Sequence, residues 1–62
     1  MPHDFHYRER DYGDSVVFEI DTDESRYFGI PWKELGDFGR RKFENVLVLK
    51  YPRRKLVFLY GQ

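Results

Sequence analysis

Asn45-Val46-Leu47-Val48-Leu49-Lys50-Tyr51-Pro52-Arg53-Arg54-Lys55-Leu56-Val57-Phe58-Leu59-Tyr60 holds the two most apolar runs of the chain, separated by a proline and a basic triplet. β-Branched and aromatic residues favour strands, and proline presets φ at the second position of a turn. The stretch predicts a hairpin, with strands over 45–51 and 55–60 and a turn started by Pro52. With Lys50 opposite Lys55, Leu47, Leu49, Leu56 and Phe58 share one face, and Val46, Val48, Val57 and Leu59 share the other. Both faces are apolar away from the turn, which a sheet with one wet side does not account for. The face of Val46, Val48, Val57 and Leu59 is therefore expected to be the interface of a homodimer.

Upstream, Val16, Phe18 and Ile20 alternate with Val17, Glu19 and Asp21, the period of a half-buried strand over 15–21. Asp21-Thr22-Asp23-Glu24-Ser25 is turn chemistry, because Asp and Ser side chains bond nearby backbone. A second strand over 26–30 is expected to pair with the first. Pro31 suits the first turn of a helix, and Trp32, Leu35 and Phe38 follow at spacings of three, with Trp32 expected in the core. Gly36 and Gly39 each weaken a helix by about 1 kcal/mol, so its end is open. Residues 1–14 are polar and read as an arm, with an edge strand over Phe5 and Tyr7. The expected fold is α+β: a small antiparallel sheet of order β-β-α-β-β, an extra N-terminal edge strand, and one helix packed across it. The single domain covers 15–62.

A chain of 62 residues has room for one core, and so short a chain buries only about 60% of its unfolded surface. Cysteine is absent, so neither disulfides nor thiolate metal sites can help, and a reducing, cytoplasmic setting is expected. Aromatic residues make up 19% of the chain and are the visible stabilising device. The apolar runs are too short to span a bilayer. Charge is balanced overall but segregated. Residues 1–25 carry two basic against eight acidic side chains, and residues 26–62 carry nine basic against three acidic. The simplest reading is that the two halves face each other in the fold or across a dimer; the sharper one is an exposed basic surface for a polyanion.

His3 and His6 are the only histidines, and solvation suits them better than a metal. The run from Asp21 to Arg26 lacks the central glycine of a calcium loop. The glycines match no phosphate-binding motif, and no carboxylate pair stands out as acid and base. No enzyme, metal or cofactor is expected. The basic clusters Arg40-Arg41-Lys42 and Arg53-Arg54-Lys55, with Tyr51 beside the second, are the candidate partner-binding residues. Arginine offers planar, multidentate donors, and tyrosine can stack or fill a pocket. The expected function is a non-catalytic protein-interaction module. The alternative is a nucleic-acid-binding domain that uses the same clusters on phosphates.

Overall fold

The computed structural model describes residues 3–61. Two small sheets and one long helix enclose an aromatic core, which bears out the α+β class. β1 (His3–Asp4), β4 (Arg26–Tyr27) and β5 (Ile30–Pro31) form a short antiparallel sheet in the order β1-β4-β5. β2 (Tyr7–Asp11), β3 (Ser15–Asp21) and β6 (Lys55–Gly61) form the main sheet in the order β2-β3-β6. β2 runs antiparallel to β3, with Glu9 opposite Phe18. β6 runs parallel to β3, with Phe58 beside Phe18.

The parallel pair overturns the expected C-terminal hairpin. Residues 45–50 are not a strand; they complete α1 (Gly36–Lys50), which crosses over the sheet between β3 and β6. The reason is a need for a second layer. β3 buries Val16, Phe18 and Ile20 completely or nearly so, and a hairpin would widen the sheet without covering them. A helix places Phe43 and Leu47, one turn apart, on that face, and both are buried. This outweighs the strand propensity of Val46 and Val48. The expected common face of Val46, Val48, Val57 and Leu59 is thereby dissolved: the first two are exposed on α1 and the last two belong to β6.

The expected strand over 26–30 is also divided. Phe28 at φ 52° and Gly29 at φ 79° turn the chain back on itself, so Arg26 pairs with Pro31 and Tyr27 with Ile30. This hairpin pairs with β1 and not with β3. Buried Ser25 ties the two sheets, since its hydroxyl accepts the N–H of His6 and donates to the His6 carbonyl. Within the expected arm, residues 3–14 supply β1 and β2, and Phe5 packs against the core.

Pro31 leads into one turn of 3-10 helix, Trp32–Glu34, and Trp32 is buried as expected. Gly36, the first residue of α1, takes φ 79°, which breaks the helical phase between the 3-10 turn and α1. Phe38 consequently does not share a face with Trp32 and Leu35 and stays 73% exposed. Gly39 lies close to Leu35: a Cβ there would stand 2.6 Å from the Leu35 side chain, which would have to shift.

The core comprises Val16, Phe18, Ile20, Tyr27, Trp32, Phe43 and Leu47, with Phe5, Leu56 and Phe58 among the residues packed on it. Phe43 is its hub, with ring centroids at 3.9 Å from Phe5 and 5.2 Å from Trp32. Phe18 stacks on Phe58 at 5.3 Å.

Candidate interaction surface

A helix rotates about 100° per residue, so consecutive side chains point in different directions. Arg40, Arg41 and Lys42 therefore fan around α1 and make no single patch. Arg40 turns toward β6, where it pairs with Asp37 at 2.5 Å and lies over the Tyr60 ring. Arg41 is exposed, and the Lys42 ammonium sits 4.9 Å from the centre of the Phe38 ring. Arg53-Arg54-Lys55 lies beyond the opposite end of the helix, at roughly 1.5 Å of rise per residue, so the two basic clusters are not brought together.

The second cluster is partly absorbed by the acidic half of the chain. The Arg54 guanidinium donates to the Asp11 carboxylate and lies over the Tyr51 ring, while its Nε is buried without a hydrogen-bond partner. Asp11 also accepts the Gly13 N–H, and this bond, aided by Arg54, lowers its pKa. Tyr51 donates to Glu9 at 2.6 Å, and that bond raises the pKa of its phenol. Tyr60 donates to Glu44; burial first, then this bond, raises its pKa strongly. Lys33 reaches Asp23 at 2.5 Å. The segregated charges thus meet inside the fold through Asp11–Arg54 and Asp23–Lys33. Such exposed pairs are screened by solvent and add little to stability.

Asp21 accepts the N–H groups of Asp23 and Glu24, which makes its run a capped turn. The side chain of His3 lies outside the described residues; His6 is exposed. Among the described residues, no three metal-ligating side chains gather. A shallow depression of about 700 Å³ opens at the end of the main sheet, lined by His6, Arg8, Glu19, Asp21 and Leu59 among others. Its acids are engaged, Asp21 by its own turn and Glu19 by Arg8 and Arg10 at 3.7 and 3.6 Å.

A surface that the sequence reading missed lies on the outside of α1. Phe38, Lys42, Val46 and Leu49 follow at steps of four, four and three, which places them on one stripe away from Phe43 and Leu47. Leu49 is 81% exposed and Val46 56%. Among the described residues, Arg41, Lys42, Lys50 and Arg53 around this stripe form no ion pair. The signal was present in the sequence as helical spacing, but the strand reading of 45–51 hid it. No helix among the described residues is long and apolar enough to cross a membrane. No protein-family model matches the chain, and comparison with curated proteins and with solved structures likewise returns no match.

Proposed function

We propose that this chain is a non-catalytic, cytoplasmic protein-interaction module that docks the outer stripe of α1 into an apolar groove with an acidic rim on another protein. The observation that carries this reading is the exposure of Phe38, Val46 and Leu49 on one stripe of a helix whose other side supplies Phe43 and Leu47 to the core. Helix-in-groove recognition uses anchors at this spacing. Arg41, Lys42, Lys50 and Arg53, which form no ion pair among the described residues, complement acids around such a groove and steer the encounter. Of the residues expected to bind a partner from the sequence, Arg41, Lys42 and Arg53 keep that role. Arg40, Tyr51 and Arg54 are engaged internally, and Lys55 starts β6.

The test compares affinity capture from the host lysate by the wild type and by a variant carrying Phe38→Asp with Leu49→Asp. Both positions are exposed, so the variant is expected to stay folded by circular dichroism. The reading expects a protein retained by the wild type and lost by the variant. Equal retention by both would contradict it. So would capture of nucleic acid with an affinity falling steeply with salt, the mark of counterion release from phosphates.

A further inference from the structure

The main sheet has two open edges, β2 and β6, and they differ in kind. On β6, the Lys55 N–H donates to Asp14 and the Gly61 carbonyl accepts from Thr22, both toward β3. In a strand, backbone polarity alternates, so Lys55, Val57, Leu59 and Gly61 face β3, while Leu56, Phe58 and Tyr60 point their N–H and C=O groups outward. Among the described residues no hydrogen bond reaches these outward groups. An edge of this kind is a template for a further strand.

We propose that the β6 edge is the self-association surface, pairing antiparallel with β6 of a second copy about a twofold axis at Phe58. A twofold axis normal to the sheet brings together only residues of equal parity and keeps both helices on one face. Centred on Phe58, it sets Phe58 opposite its counterpart and Leu56 opposite Tyr60 of the second copy. These are the residues whose backbone groups point outward, so every one gains a partner. On the far face Val57 comes opposite Leu59 of the second copy. All these pairs are apolar, and Leu59 and Tyr60 are 49% and 38% exposed in the single chain. Arg40 and Glu44 touch Tyr60, so Val48, one turn further along that row, lies at the seam between the two helices. Shifting the axis to Val57 sets Tyr60 against Arg54 and loses its apolar partner.

The centre of the β2 edge disfavours the same operation. There Tyr7, Glu9 and Asp11 are the outward residues, because the His6 carbonyl and Tyr12 N–H face β3. An axis at Glu9 sets Glu9 against Glu9 and Arg8 against Arg10; an axis at Arg8 or at Arg10 sets arginine against arginine. Like charges directly opposite are destabilising and guard an edge against self-pairing. The second copy is therefore directed to β6, in a continuous sheet of order β2-β3-β6-β6-β3-β2. This surface lies apart from the outer stripe of α1 and does not depend on what that stripe binds.

The experiment combines sedimentation over a concentration series with amide hydrogen exchange on the full chain. The expected result is a dimer at high concentration, with the amides of Leu56, Phe58 and Tyr60 slowed by about tenfold or more as it forms. The outward amides of Tyr7, Glu9 and Asp11 should exchange at rates independent of concentration. Leu59→Lys, a half-exposed position outside the core, should weaken the dimer by about tenfold or more by placing a cation against Val57 of the second copy. A monomeric mass at every concentration would overturn the proposal. So would a dimer whose Leu56, Phe58 and Tyr60 amides exchange as in the monomer, or undiminished association of the Leu59→Lys chain.

Discussion

Phe38 and Phe43 stand five residues apart on the same helix, and truncating each to alanine should have opposite consequences. Phe43 is 3% exposed and meets Phe5, Tyr27, Trp32 and Phe58. Removing a buried phenylalanine ring costs about 3–5 kcal/mol in lost transfer energy and cavity. At about 0.05–0.15 kcal/mol per residue, the whole chain of 62 residues has roughly 3–9 kcal/mol to lose. Phe43→Ala should therefore leave the domain marginal or unfolded at room temperature. Phe38 gives up only the Lys42 cation–π contact, about 0.5–1 kcal/mol at an exposed site, and alanine returns up to about 0.7 kcal/mol of helix propensity. The net change for Phe38→Ala should be near zero. Chemical denaturation followed by circular dichroism measures both. A Phe38→Ala chain that loses several kcal/mol, or a Phe43→Ala chain that loses none, would mean that the helical phase is wrong and that Phe38 belongs to the core.

Trp32→Ala should also cost about 3–5 kcal/mol, because the indole is buried between Phe5, Phe43 and Tyr60, whereas His6→Ala should leave the melting curve unchanged. The lowered pKa of Asp11 means that its contribution is present above the ordinary carboxylate pKa of about 3.9 and is lost as pH falls through the lower folded value. Asp11→Asn should accordingly flatten the acid limb of stability measured from pH 5 downward, a window set by that reference value. Tyr51 and Tyr60 have raised pKa values, so their neutral phenols support the fold up to the reference value of about 10 and that support is lost as pH rises further. Tyr60→Phe should reduce this alkaline loss, and phenolate absorbance of the wild type should show a tyrosine ionising only as the fold is lost.

What the sequence reveals here depends on how local the determining contacts are. The strand over Ser15–Asp21 is legible because one face is buried and the period of two is complete. The turn at Asp21 is legible because its hydrogen bonds run to residues two and three positions away. The segment 45–51 is not, since Val46-Leu47-Val48-Leu49 fits a strand, and only the distant demand of Val16, Phe18 and Ile20 for a covering layer makes it a helix. The split at Phe28 is equally opaque, for a phenylalanine at positive φ costs about 1–3 kcal/mol and is no ordinary turn residue. Trp32 is legible as core from its size, whereas the exposure of Phe38 is not legible, because the break at Gly36 resets the helical phase. The candidate surface inherits these errors. Val46 and Val48 were grouped with Val57 and Leu59, and the outer stripe of α1 emerges only once 45–50 is helical.

Every surface assigned above rests on α1 spanning Gly36–Lys50 and on β6 lying parallel to β3. Nuclear Overhauser contacts in the wild-type chain test both together. The account predicts unbroken sequential amide–amide contacts over 36–50 and parallel-strand contacts that place Phe58 beside Phe18 and Val57 beside Val17. An antiparallel pattern with Lys50 opposite Lys55 and Val48 opposite Val57 would contradict it, and would restore the hairpin with its shared face of Val46, Val48, Val57 and Leu59.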